Sequence, residues 1–508
     1  MSHRFETRFA KVCEHARHAA ILQSIADALE WDERTGMPSQ ASEYRAVQVS
    51  TMRAMNHEHL TSPSYGELLQ ELAQELPSTE HATDPHGDVA STVRGLLRDW
   101  QRNCKLPVDL VRRTSEATVR GQQVWDSARK EDNFDAFAPT LQQIIDLKRE
   151  AGSLLSNGGD PYQALIDEYE PGADLETLRQ VFASLREPLV QLVSRLADAP
   201  RQPDVSLLQR SFPIEGQRKL SRYVAESIGF DFGRGRLDET SHPFCTNLGP
   251  NDCRILSRYD EHWLPAGLFG TLHEAGHGMY DQGLRTDWYG LPPGSYVSLG
   301  IHESQSRLWE NQVGRSFAFW KWLLPQAKQA LGSALSDCSV EAIHFAVNSV
   351  RPSLIRVEAD EATYNLHIII RFEIEQALMD GQLTVKDLPS AWDEAYQQNL
   401  GVKSPSAANG VLQDVHWSAG LFGYFPTYTL GNLAAAQLFE AAETDLGPLD
   451  QAISQGNFAG LLAWLRTNIH QHGRCYTGAE LVENATKSTL SAEPLLKSLR
   501  SRYQALYG

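Results

Sequence analysis

A chain of 508 residues, 42% hydrophobic and 22% charged, is long enough to bury a large core. Its 64 acidic against 46 basic residues give a formal net charge of −18, which argues against nucleic acid as a partner, because neutralising many phosphates needs a basic face. The N-terminus has no apolar run of signal-peptide length, no later stretch reaches the roughly 18 apolar residues of a membrane span, and six scattered cysteines form no CxxC pair, so the expectation is a soluble, cytoplasmic chain with reduced thiols and no membrane partner.

The first third reads as helices. Ile21, Ile25 and Leu29 recur every four positions, which predicts one of them. Pro77–Asp88 and Asp198–Val205, rich in Pro, Asp, His or Ser, predict loops. Asp174 predicts the N-cap of a longer helix whose apolar face is Leu175, Leu178, Phe182, Leu185, Leu189, Leu192 and Leu196, with a kink at Pro188. Between Gly229 and Arg258 the pattern turns Gly- and Pro-rich with short alternating stretches, which predicts a small sheet or irregular hairpin. Helical periodicity returns at Ala266 and dominates to the C-terminus, interrupted by the irregular stretch Gly401–Gly423. No long linker, low-complexity tract or internal repeat divides the chain. The expected fold is therefore mostly α, a large single helical unit with a small β insertion near a cleft. Residues 1–228 form an N-terminal helical part, 229–440 the site region and 441–508 the C-terminal helices of one domain.

The motif HExxH falls within the returning helical pattern. His273 and His277 are four apart, so on a helix they project from one face, where both can reach one cation at about 2.0–2.1 Å. Glu274 follows the first histidine and is the expected general base. A metzincin would need Gly at 280 and His at 283; the chain has Tyr280 and Gly283, which excludes that class. A carboxylate from a following helix is the alternative third ligand. Glu303 lies 26 residues after His277 (303 − 277), a gap that suits a loop and a return helix. Glu310, two turns later, is the competitor, with a solvated helix face as its expected place.

Six motifs then occur in order: His242-Pro243-Phe244, Asp252-Cys253-Arg254, HEAGH at 273–277, His302-Glu303-Ser304-Gln305, Ile355-Arg356-Val357-Glu358-Ala359-Asp360, and Gly410-Val411-Leu412-Gln413-Asp414-Val415-His416-Trp417. With Trp31-Asp32 and Met37-Pro38 near the start, the chain resembles the carboxypeptidase Taq family of metallocarboxypeptidases over essentially its whole length. The resemblance implies an almost all-helical, saddle-shaped fold with a deep active-site groove, and a homodimer. It implies Zn2+, or Co2+, bound by His273, His277 and Glu303. The implied activity is release of single C-terminal residues from peptides with a free C-terminus, broad in specificity and poor for proline. The family's Asp-x-Arg-x-Thr pattern keeps Arg254 but ends here in Leu256, followed by Ser257, so the chain departs from the family at the hydroxyl. Thermolysin-like sites often carry Asp four residues after the glutamate ligand, whereas this chain has Arg307, so the partners that orient the histidines stay unassigned.

By the same resemblance, Arg356 and Arg254 are expected to bind the substrate's α-carboxylate, a task suited to a planar guanidinium fork. Glu358, Asp360 and Glu361 are expected to orient Arg356. His416 and Tyr428, with Tyr424 as the fallback, are expected to support the oxyanion. The expected mechanism is attack by a zinc-activated water, with Glu274 taking its proton and returning it to the leaving amine. The rivals are a thermolysin-like endopeptidase with the same metal chemistry and a non-catalytic helical scaffold.

Overall fold

The computed structural model describes residues 3–508, and among them helices dominate, with one three-stranded sheet. None of the helices described is long and apolar enough to cross a membrane. The chain forms two compact units interleaved along the sequence. One takes the chain up to Cys104, Asp204–Val347 and Leu438–Thr489; the other takes Lys105–Pro203, Asn348–Gln437 and Leu490–Gly508.

In the second unit the long helix Leu175–Ala197 forms as its sequence predicts. Asp174 caps it, its carboxylate accepting from the Thr177 backbone N–H at 2.8 Å. All seven expected apolar positions are buried, and Phe182 meets Phe372 edge-on at 4.9 Å between ring centroids. Each such side chain contributes about 1.5–3 kcal/mol of transfer free energy. Pro188 sits inside the helix without ending it. The Gly401–Gly423 stretch has neither helix nor strand, as expected.

In the first unit the N-terminal helix His3–Thr35 runs antiparallel to Ser42–Leu60. Arg45 pairs with Asp32 at 2.7 Å, and Asn56 donates to Gln23 at 3.2 Å. The predicted helix is there, but Ile21, Ile25 and Leu29 are not its buried face. Ile21 is 52% and Ile25 43% exposed, while Phe5, Val12, Ala19 and Ala26, seven residues apart, are buried. Two of those four are alanines, too small to stand out in a hydrophobic pattern.

The sheet of the first unit comprises β1 (Gly235–Glu239), β2 (Cys245–Asn247) and β3 (Cys253–Ser257), in the order β1-β3-β2. β1 runs parallel to β3, and β2 antiparallel with Cys245 opposite Ile255. β3 packs on the helix Leu264–Gly283 that carries HExxH. Two glycines of that helix, Gly276 within the motif and Gly278 just after it, allow its close neighbours. A Cβ on Gly278 would meet Phe230 at 2.6 Å and Ile255 of β3 at 2.9 Å; one on Gly276 would meet the Gln305 carbonyl at 2.6 Å. The helix Leu299–Arg307, capped by Ser298, therefore lies directly against the two histidines, and it continues as a π-helical turn at Leu308–Val313.

Candidate functional site

The helix Leu264–Gly283 brings His273 and His277 to one face, and Leu299–Arg307 brings Glu303 to meet them. The two Nε2 atoms are 3.2 Å apart, and Glu303 Oε2 lies 3.4 Å from His277 Nε2 and 3.7 Å from His273 Nε2. Ligands bound at about 2.0–2.1 Å around a tetrahedral cation lie about 3.3 Å from one another. The three donors thus have the spacing of one face of a metal tetrahedron, and the residues fit a divalent cation.

Hydrogen bonds set the histidine tautomers. Glu310 Oε2 accepts from His273 Nδ1 at 2.9 Å; a carboxylate only accepts, so the proton sits on Nδ1 and the Nε2 lone pair faces the other donors. On His277, Nδ1 lies 2.5 Å from Nδ1 of His302, whose Nε2 lies 3.3 Å from Asp281 Oδ1. Asp281 keeps the His302 proton on Nε2, so His302 Nδ1 accepts from His277 and leaves His277 Nε2 bare. Glu303 is oriented by Arg307, which donates from Nε to Oε1 at 2.6 Å and reaches Glu310 Oε2 at 3.2 Å from Nη1. Arg307, unexplained in the sequence, thus ties the two glutamates together. Glu310 is not on a solvated face; it is buried.

Burial lowers His277 to about 4, with His302 adding to the effect, so the imidazole is neutral. Burial works against His273, but the charge of Glu303 and the hydrogen bond His273 donates to Glu310 outweigh it and raise that residue. Glu303 is held well below the carboxylate range against its burial, first by Arg307 and then by the histidines. Glu274 goes the other way. Burial pushes it up to about 7, partly opposed by His273. Its Oε2 makes no hydrogen bond among the described residues, which leaves one unengaged buried carboxylate oxygen beside the donor cluster.

The second unit gathers Arg356, His416, Tyr424 and Tyr428. Asp414 Oδ1 accepts from Arg356 Nε at 3.0 Å and Nη2 at 2.8 Å, while Arg356 Nη1 donates to the Tyr364 hydroxyl at 3.0 Å. The guanidinium also lies 5.1 Å from the Tyr428 ring centroid. Asp414 is shared with the fully buried Arg371, whose Nε donates at 2.6 Å, and the two arginines hold the carboxylate well below its usual range despite its burial. His416 Nε2 meets the Tyr428 hydroxyl at 3.3 Å, and its Nδ1 makes no hydrogen bond among the described residues. Burial, then Arg356, lowers His416 to about 3, so the ring is neutral. Tyr424 is also close, 5.5 Å from His416 between ring centroids.

The acidic residues expected to orient Arg356 do other work. Asp360 caps the helix Glu361–Met379, Glu361 pairs with Arg502, and Glu358 is exposed. Asp414, distant in sequence, does the orienting instead. Glu375 anchors the segment that carries Asp414 and His416, accepting from Trp417 Nε1 at 2.8 Å, Gly423 N at 2.9 Å and the Tyr162 hydroxyl at 2.8 Å. In the first unit, Arg254 is held by Asp252 through two bonds of 2.8 Å and lies 4.3 Å over the Trp31 ring. Leu256 is core, and the displaced Ser257 hydroxyl faces the HExxH helix, bonding the Gly267 carbonyl at 3.2 Å and Thr271 Oγ1 at 3.1 Å.

Known proteins resemble this chain over nearly its whole length. Residues 11–503 match the family model for carboxypeptidase Taq (M32) metallopeptidases. The chain is 43% identical to thermostable carboxypeptidase 1 of Thermus thermophilus and 36% identical to carboxypeptidase 1 of Bacillus subtilis, covering 99% of each chain in both cases. It superposes on the crystal structure of the M32 carboxypeptidase from Deinococcus radiodurans with a TM-score of 0.94 at 40% identity, covering 99% of this chain and 100% of that one. The chain belongs to the carboxypeptidase Taq (M32) metallopeptidase family. It is a metal-dependent carboxypeptidase, and the family implies a divalent metal.

Proposed function

We propose that this enzyme releases single C-terminal amino acids from peptides, with broad specificity, using Zn2+ held by His273, His277 and Glu303. Co2+ suits the same donors. The observation that carries this reading is the triangle of donor atoms at 3.2, 3.4 and 3.7 Å, with both histidine Nδ1 positions engaged from behind. When bound, the cation supplies Lewis-acid charge that acidifies water and stabilises a developing oxyanion.

Glu274, buried and with Oε2 unengaged, takes the proton of the attacking water and returns it to the leaving amine. Its elevated proton affinity suits both steps. His416 stays neutral and donates from Nδ1 to the oxyanion while Nε2 accepts from the Tyr428 hydroxyl; Tyr424 is the alternative partner. Arg356, fixed from behind by Asp414, offers its guanidinium to the substrate's terminal carboxylate. Arg254, fixed by Asp252, is the second carboxylate reader.

The family match runs across both units, which supports residues 1–508 as one catalytic domain. The exposed Ile21 and Ile25 on one helix, and Tyr44, Val47 and Met55 on its antiparallel partner, support a homodimer that covers them. The six cysteines form no disulfide, the state a reducing cytoplasm maintains.

The test is Glu274→Gln. It keeps the donors and the shape, so metal content stays at the wild-type level while kcat falls by about 10²–10⁴. Turnover within tenfold of wild type would sink the assignment of Glu274.

A further inference from the structure

Two cysteines meet in the sheet beside the HExxH helix. Cys245 of β2 and Cys253 of β3 lie on one sheet face, with their Sγ atoms 3.8 Å apart. Asp281, one turn beyond His277, brings Oδ2 to 3.8 Å from Cys245 Sγ. All three ligand atoms fall within one cluster, separate from His273, His277 and Glu303. The carboxylate divides its oxygens: Oδ1 faces His302 and Oδ2 faces the thiols.

These distances fit a metal better than a disulfide. Cys245 is registered opposite Ile255 and Cys253 opposite Asn247, so the two cysteines are diagonal neighbours. Diagonal Cα atoms in an antiparallel pair are about 7–8 Å apart, beyond the usual span of a disulfide. A tetrahedral cation with metal–sulfur bonds of about 2.3 Å sets two sulfurs about 3.8 Å apart and sulfur and oxygen about 3.6 Å apart. A cavity of about 20 Å³, lined by Cys253, Asp281, Asn247 and Gln282, adjoins the cluster and has room for one water. A plain pair of thiols needs neither the carboxylate nor the cavity.

We infer that Cys245, Cys253 and Asp281 form a second cation site, suited to a thiophilic divalent cation of the zinc type. The catalytic cluster has no sulfur ligand, so softness separates the two sites, and cadmium is the natural probe.

The holoenzyme is stripped with a chelator and titrated with Cd2+, reading metal content and ultraviolet thiolate-to-cadmium absorption together. Two cations bind per chain, and the absorption saturates with one of them. The double substitution Cys245→Ser with Cys253→Ser loses the absorption and keeps one cation; His273→Ala with His277→Ala keeps the absorption. A second measurement needs no variant. The wild-type enzyme is alkylated with iodoacetamide, with and without Zn2+, and its peptides are mapped by mass. The exposed Cys104 reacts in both samples, while Zn2+ slows Cys245 and Cys253 by about tenfold or more. The inference is overturned by one cation per chain without thiolate absorption, by absorption that survives loss of both thiols, by alkylation indifferent to Zn2+, or by recovery of the pair as a disulfide from Zn2+-loaded enzyme.

Discussion

Glu303 and Glu310 stand seven residues apart and share Arg307, yet they hold different positions around the histidines. Glu303 turns Oε2 to the two Nε2 atoms, whereas Glu310 turns Oε2 to Nδ1 of His273. Only the first is a ligand in this account, and the variants separate them. His273→Ala, His277→Ala and Glu303→Ala each abolish stoichiometric metal binding. Glu310→Ala keeps it, with affinity lower by about 10–100-fold as His273 loses its orienting partner. Metal content after dialysis decides; full occupancy in Glu303→Ala would move the third ligand elsewhere. The histidines and Glu274 were legible in the sequence because a helix fixes their relation locally. Glu310 was not, since its burial depends on the π-helical turn packing against the helix that carries HExxH. The Asp281–His302 relay was hidden for a similar reason: its members sit 21 residues apart and meet only when Gly276 lets two helices close on each other.

Among the elements, the helix Glu361–Met379 has most to do with Arg356. It supplies Tyr364, Arg371 and Glu375, which hold Arg356, Asp414 and the Trp417–Gly423 segment respectively. Glu375 gives this anchoring a pH signature. Burial pushes it up to about 7 from an ordinary 4.5, against three hydrogen bonds that favour its charged form. The folded state therefore holds this proton more tightly than the unfolded chain does. Its contribution to stability is fully present below about pH 4.5 and is lost as pH rises through about 7, by up to about 3 kcal/mol. Glu375→Gln cannot titrate, so its stability relative to wild type rises across that window, read as the difference in denaturation midpoints; a difference that is flat or falls with pH contradicts the assignment. The elements themselves were largely readable. The Asp174 cap, the leucine face after it, the small sheet and the irregular Gly401–Gly423 stretch all follow from local chemistry. The buried face of the N-terminal helix did not, because its alanines carry little hydrophobic signal beside the exposed Ile21 and Ile25.

For the molecule as a whole, long-range contacts decide what no local pattern could: the two units each collect three separate stretches of chain. Assembly is also a property at this scale. If the exposed apolar residues of the N-terminal helix pair lie in a homodimer interface, Ile25→Glu with Val47→Glu shifts the enzyme toward monomer in sedimentation velocity, and an unchanged dimer would place the interface elsewhere. The direction of attack on a peptide belongs here too. Removing a charge-assisted bidentate partner of the substrate carboxylate costs on the order of 2–5 kcal/mol, roughly 30- to several-thousand-fold in kcat/KM. Arg356→Lys recovers only part, because an ammonium lacks the planar fork. The most direct measurement is the ratio of cleavage rates for one peptide with a free and with an amidated C-terminus, in wild type and in Arg356→Ala. Wild type strongly prefers the free acid and that preference collapses in Arg356→Ala, whereas a wild type that cuts the amidated peptide equally fast, or internally, would refute attack directed by the terminal carboxylate.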